Sequence, residues 1–316
     1  MATVAIGTAS AQRILPETGV LAALPDAETE SSTIGFAASG SDATSAIVLR
    51  MPRRVSSDTV TELQTVQPDG SVRRLFTGTI QPQPLAAGDG QIFAMTMAGR
   101  EPACHLIDTS TGDAKQFACG GTAGRAALTK GRLALLQYAP WPKLMLNIYR
   151  TVDRTAAPVL EASFPMEKTP WMKPVFAAPD RLLLLDPSST LTITPYVFAA
   201  GKWTKSADAI ALSGSEVDKT RALSPPQAGN SLGTMRLMQV VGDVTARDGS
   251  LLLVMSGAGR EDPGPHIVAF DADGKETASY RPAGDRKMLR PSLAYVSGDS
   301  IVFFDRSGVR HRFERP

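Results

Sequence analysis

Asp248-Gly249 stands ahead of Leu251-Leu252-Leu253-Val254, and Ile267-Val268-Ala269-Phe270-Asp271-Ala272-Asp273-Gly274-Lys275 follows. An Asp-Gly pair reaches positive φ at low cost, so it marks hairpin turns. The run Leu251 to Val254 has no polar alternate, so a strand there is covered on both faces. The second run ends in hydrophobic-hydrophobic-x-aromatic-Asp-x-x-Gly and passes into a more polar strand. Turn, apolar strand, alternating strand, turn and polar strand make one unit of antiparallel sheet.

The unit recurs. Ser41-Asp42 precedes Ala46-Ile47-Val48-Leu49, Gly88-Asp89-Gly90 precedes Ile92-Phe93-Ala94-Met95, and Lys130-Gly131 precedes Leu133-Ala134-Leu135-Leu136. Pro179-Asp180 precedes Leu182-Leu183-Leu184-Leu185, and Gly298-Asp299 precedes Ile301-Val302-Phe303-Phe304. With the opening stretch, that makes six units. Second turns fall at Pro68-Asp69-Gly70, Thr111-Gly112, Val152-Asp153, Ala200-Gly201 and Asp273-Gly274. Two units also resemble each other directly. Met95-Thr96-Met97-Ala98-Gly99-Arg100-Glu101-Pro102 lines up with Met255-Ser256-Gly257-Ala258-Gly259-Arg260-Glu261-Asp262-Pro263, and His105 and His266 follow at places expected to be equivalent.

The sixth unit stops early, one outer strand short. Thr3-Val4-Ala5-Ile6 is expected to supply it and close a ring between the chain ends, which removes exposed sheet edges. The longest step between units holds an insertion near 213–234, rich in Ser, Pro, Gly and charge, expected to be a loop. The expected fold is all-β: a six-bladed β-propeller of four-stranded antiparallel blades, closed by the N-terminal strand, with residues 1–316 as one domain. On these strands and endings the chain resembles the six-bladed β-propeller superfamily of bacterial proteins, the NHL- and TolB-like group. Lactonases and lyases of that superfamily bind a divalent cation on the central axis. No residues here match those ligands one by one, so none are carried over.

Composition narrows the functional classes. Lys plus Arg number 33 and Asp plus Glu 31, for a net charge of +2. No strong basic field exists, so nucleic acid is not an expected partner. No apolar run reaches the length of a membrane span. Residues 1–10 lack the basic start and apolar stretch of a signal peptide. The expected location is therefore periplasmic or extracellular if a leader has been removed, and otherwise cytoplasmic. Leu15-Pro16-Glu17-Thr18-Gly19 matches a sortase signal, but at the wrong end of the chain.

Cys104 and Cys119 are the two cysteines. If Thr111-Gly112 is a two-residue loop, they face each other across the hairpin. Opposed residues lie roughly 4.5–5.5 Å apart, a separation that a disulfide spans. Two free buried thiols are the other reading. A bridge favours an exported protein.

Catalytic motifs are sparse. His105, His266 and His311 are dispersed with no HxH or HExxH pattern, so no metal is expected. Gly257-Ala258-Gly259-Arg260 lacks the Lys-Ser/Thr and helix of a phosphate loop. No cofactor is expected. What remains is the face carrying the loops between second and third strands: Arg50, Arg53 and Arg54; Arg100 and Glu101; Trp141 and Lys143; Arg260, Glu261 and Asp262; and Arg306. Connections between blades add Trp171, Lys173, Lys287 and Arg290 on that face. Arg and Trp are enriched in binding hot spots, and Arg gives bidentate contacts to carboxylate or phosphate. Solvated arginines, or arginines paired with Glu101, Glu261 and Asp262, are the plainer alternative. The expected function is a non-enzymatic binding or scaffold propeller that engages a protein or peptide through this face. The alternatives are a metal-dependent lyase or hydrolase with an axial site, and a sensor of a sugar or small anionic ligand.

Overall fold

The computed structural model describes residues 12–23, 33–39, 45–51, 59–98, 101–138, 143–152, 156–166, 172–187, 191–223, 240–245, 250–255 and 264–316. The N-terminal segment gives two short strands, β1 (Arg13–Leu15) and β2 (Glu17–Leu21). Blade 1 is β3 (Thr33–Ser39), β4 (Ala46–Met51), β5 (Thr61–Val66) and β6 (Val72–Gly78). Blade 2 is β7 (Ile80–Gly88), β8 (Gln91–Ala98), β9 (Glu101–Asp108) and β10 (Ala114–Phe117). Blade 3 is β11 (Thr122–Thr129), β12 (Arg132–Tyr138), β13 (Leu144–Arg150) and β14 (Val159–Met166). Blade 4 is β15 (Lys173–Ala178), β16 (Arg181–Asp186), β17 (Thr192–Ala199) and β18 (Lys202–Lys205), with β19 (Ile210–Ala211) also paired to β17. After helix α1 (Ser215–Leu223), blade 5 is β20 (Val240–Thr245), β21 (Leu251–Met255), β22 (His266–Phe270) and β23 (Glu276–Pro282). Blade 6 is β24 (Leu289–Ser297), β25 (Ser300–Asp305) and β26 (Arg310–Glu314), completed by β2. Six sheets in a ring make a six-bladed β-propeller.

The apolar runs have a simple cause. Six buried clusters fill the six gaps between blades. Each second strand feeds both neighbouring gaps: Ile47 and Leu49 pack toward blade 2, and Ala46 and Val48 toward blade 6. A strand buried on both faces needs apolar residues at successive positions. Near the axis the strands crowd. A Cβ on Gly88 of β7 would strike the Leu128 carbonyl of β11, so glycine lets blades 2 and 3 approach there.

Ring closure differs from the sequence expectation in its residues. Thr3–Ile6 lies outside the described residues. The strand beside β26 is β2, in antiparallel register from Glu17↔Phe313 to Leu21↔Arg310. Before it, β1 adds to blade 5 in parallel, from Arg13↔Tyr280 to Leu15↔Pro282. The segment thus straddles two blades, with Pro16 at the crossing; the Pro16 carbonyl accepts from the Glu314 N–H at 3.2 Å. The sortase-like stretch is part of this closure. A buried arginine secures it. Arg310 has no solvent exposure, and its guanidinium donates to the carbonyls of Ala22 and Val66 at 3.1 Å, and to those of Gln67 and Pro68. It ties blade 6 to the outer turn of blade 1 and to the N-terminal segment.

Two further expectations need correction. Residues 213–234 are not loop throughout, because α1 occupies Ser215–Leu223. The Glu276 carboxylate accepts from the Glu216 N–H at 2.9 Å and from the Ser215 hydroxyl at 3.2 Å. It caps the helix from another strand and complements its dipole. Val217 is fully buried between blades 4 and 5. Cys104 and Cys119 form a disulfide with Cα atoms 5.9 Å apart, but they are not opposed in the hairpin. The ladder pairs Cys104 with Phe117. The turn is longer than two residues, because Asp108 accepts through its carboxylate from the N–H groups of Ser110 and Thr111. Cys119 therefore lies past the ladder and bonds diagonally. Its carbonyl accepts from Gln137 Nε2 and Tyr149 Oη in blade 3, so the bridge also fastens blade 2 to its neighbour.

Candidate functional site

Antiparallel strands put the loops between second and third strands, and the connections between blades, on one face of the ring. Seven of the residues that the sequence places on this face are described there. Arg50 is the penultimate residue of β4 and pairs in register with Glu62. Lys173 opens β15, an innermost strand. Arg290 lies on innermost β24, and its Nη2 donates to the carbonyl of Arg306 at 3.2 Å. Arg306 is exposed in the turn between β25 and β26. The structure thus brings Arg290 and Arg306 together and sets Lys173 on another inner strand of the same rim. Lys143 and Lys287 are exposed on this face, and so is Glu101. Arg53, Arg54, Arg100, Trp141, Trp171, Arg260, Glu261 and Asp262 lie outside the described residues.

The turn bearing Arg306 is built around Asp305. Its Oδ1 accepts from the Ser307 and Val309 N–H groups at 2.9 Å and from the Ser307 hydroxyl at 2.7 Å. Its Oδ2 meets His311 Nε2 at 3.2 Å, while His311 Nδ1 meets Glu17 Oε1 at 2.9 Å. Burial works against the charged imidazole, but these two carboxylate hydrogen bonds outweigh it and raise the His311 pKa. Burial likewise pushes Asp305 up, yet the hydrogen bonds from Ser307, His311 and Val309 bring it below its usual value. In its protonated form His311 donates to both carboxylates and so joins the closing strand β2 to blade 6.

Sequence reasoning missed Arg125. It lies on innermost β11 just after a bulge at Gly124. Burial lowers its pKa, opposed in part by Tyr138. The signal was present: an isolated Gly inside a strand pattern marks a bulge that re-aims its neighbour. The equivalence of His105 and His266 does not hold. His105 pairs with Ala94 and His266 with Met255. The loop of the fifth blade carries the extra Asp262, so the matched letters slip against the strand register. His105 sits against Thr96 Oγ1 at 2.9 Å and the Phe76 ring at 5.3 Å, and burial lowers its pKa. His266 Nδ1 lies 3.6 Å from Glu216 Oε2 of α1, both side chains buried. Among the described residues, no group of three or more His, Cys, Asp or Glu could hold a metal ion. No described helix is long and apolar enough to cross a membrane.

No protein-family model and no curated protein matches the sequence. Solved structures do. A gluconolactonase from Xanthomonas campestris is similar at TM-score 0.52 and 10% identity, covering 97% of this chain and 98% of that one. A putative 6-phosphogluconolactonase from Bacteroides uniformis is similar at TM-score 0.50 and 11% identity, covering 94% and 91%. TolB from Acinetobacter baumannii matches at TM-score 0.43 and 13% identity over 80% of this chain, which spans 59% of that chain. Identities at this level carry the fold and not the activity. The molecule is a six-bladed β-propeller, and the loop face holds its candidate site.

Proposed function

We propose that this chain, read as one propeller unit over residues 1–316, is a non-enzymatic binding or scaffold protein that engages an acidic protein or peptide segment through the loop face. The observation that carries the reading is the rim pair: Arg290 held by the Arg306 carbonyl at 3.2 Å, with Arg306 exposed beside it. Holding one guanidinium in place lowers the entropy cost of using it. Lys143, Lys173 and Lys287 extend the same sign of charge around the face, which suits carboxylates. The Cys104–Cys119 bridge supports an exported location, periplasmic or extracellular, because disulfides persist in oxidising compartments.

Titration with a short polyglutamate peptide tests this. The double variant Arg290→Glu and Arg306→Glu should weaken binding at least tenfold, and raised salt should weaken wild-type binding too. A folded double variant that binds the peptide as tightly as wild type overturns the assignment of this face.

A further inference from the structure

We propose that the cleft between blades 4 and 5, on the face opposite the loop face, is a binding site for an apolar α-amino acid. The site stands apart from the loop-face reading. The cleft has a volume of about 180 Å³, with Ala177, Leu183, Ile193, Leu251 and Phe270 forming its apolar walls. Arg181, Ser250, Asp271 and Ala272 supply the rest of the lining. Drug-sized ligands occupy pockets of roughly 300–1,000 Å³, so this one suits a smaller molecule.

Strand register shows why the cleft exists. Arg132 and Arg181 open the second strands of blades 3 and 4. Arg132 lies over the Phe198 ring, 4.2 Å from its centroid, and 5.3 Å from that of Trp203, both from the next blade. Leu182 pairs with Tyr196, and the corresponding Leu251 pairs with Phe270. Two residues beyond Tyr196 stands Phe198; two beyond Phe270 stands Ala272. The ring that fills the gap between blades 3 and 4 is thus a methyl group between blades 4 and 5. The space it leaves is the cleft, and Arg181 is the exposed cation at its edge.

The rim carries both charges that a zwitterion needs. Arg181 offers a planar donor pair to a carboxylate. Asp271 uses Oδ1 to accept from the N–H groups of Asp273 at 3.0 Å and Lys275 at 2.8 Å, which leaves Oδ2 for an ammonium. Leu183, Ile193 and Phe270 then receive the side chain. A plain carboxylate would meet Asp271 as a like charge, and a plain amine would meet Arg181; an α-amino acid satisfies both.

Calorimetric titration of the full chain with L-leucine tests the site. Saturable binding is expected, at least tenfold weaker for 4-methylpentanoate, for 3-methylbutylamine and for glycine, which lack the ammonium, the carboxylate and the side chain in turn. Arg181→Ala should weaken leucine at least tenfold. Ala272→Phe should abolish binding while thermal unfolding shows the fold intact, because it restores the ring that blade 4 has. The Arg290→Glu and Arg306→Glu variant should bind leucine as wild type does, which separates this site from the loop face. No saturable leucine binding by the wild type overturns the proposal. So does folded Ala272→Phe that keeps its affinity, or 4-methylpentanoate binding as tightly as leucine.

Discussion

The junction between blades 3 and 4 is clamped, and the junction between blades 4 and 5 is open. In the first, Arg132 donates to Glu161 Oε2 at 3.2 Å and to the Pro179 carbonyl at 2.8 Å while lying over two aromatic rings. Trp203 Nε1 donates to the same Glu161 oxygen at 3.1 Å, so cation, carboxylate and indole form one closed set. In the second, Arg181 begins an equivalent strand but faces a cleft with Ala272 where Phe198 would stand. Both gaps are apolar further in, so both hold the ring together. The difference teaches that a repeat reproduces backbone positions, while the partner on the next blade decides whether a cation is structural or available to a ligand.

The largest expected effect comes from dismantling the clamp at the junction between blades 3 and 4. Trp203→Ala removes a buried ring and its hydrogen bond, and should cost about 3–5 kcal/mol, read from the denaturant midpoint. A loss under about 0.5 kcal/mol, within the range of surface changes, would mean that the clamp is not what secures that junction.

A third junction, between blades 6 and 1, sharpens the contrast because its arginine is held by backbone carbonyls. Arg310 is buried against those of Ala22, Val66, Gln67 and Pro68. Arg310→Met leaves those acceptors without their donor, and a buried unsatisfied group costs about 1–3 kcal/mol. Unfolding should shift accordingly, with hydrogen exchange rising first in β2 and β26. Uniform exchange across all blades would contradict a local closing role.

The smallest effect is the pH response of the same junction. The His311 pKa is raised above its ordinary 6.5, so its contribution is complete below that value and lost as pH rises through the raised pKa. The Asp305 pKa is lowered below 3.8, so its contribution is present above that value and lost as pH falls through the lowered one. Stability should therefore hold between these limits and decline on the alkaline side. His311→Gln should flatten the alkaline decline. The two imidazole partners are Glu17 on β2 and Asp305 at the end of β25, and the pair with Glu17 is partly exposed, so the change should be modest.

Much of the fold was legible because its cause is local. Leu182 to Leu185 and Leu251 to Val254 read as strands covered on both faces, and they are. Asp-Gly and related pairs placed the turns, including Ala200-Gly201, where both residues have positive φ. The closing strand was not legible, since Thr3–Ile6 and Glu17–Leu21 are both short segments able to pair. The cysteine bridge was readable as a pair, but its register depended on Asp108 widening the turn. Of the candidate site, Arg290 and Arg306 could be placed on one face from strand order. Their contact could not, because it depends on how the two ends of blade 6 meet.

By itself the sequence determined the number of blades, the apolar second strands and the face on which the loops gather, because those features repeat over short distances along the chain. Only the tertiary structure decided that β2 closes the ring, that Arg132 and Arg310 are locked, and that Arg181 stands beside a cleft. Those outcomes rest on contacts between distant segments, such as Arg310 with the Val66 carbonyl, 244 residues away in sequence. No local pattern encodes which distant carbonyl or ring a side chain will meet.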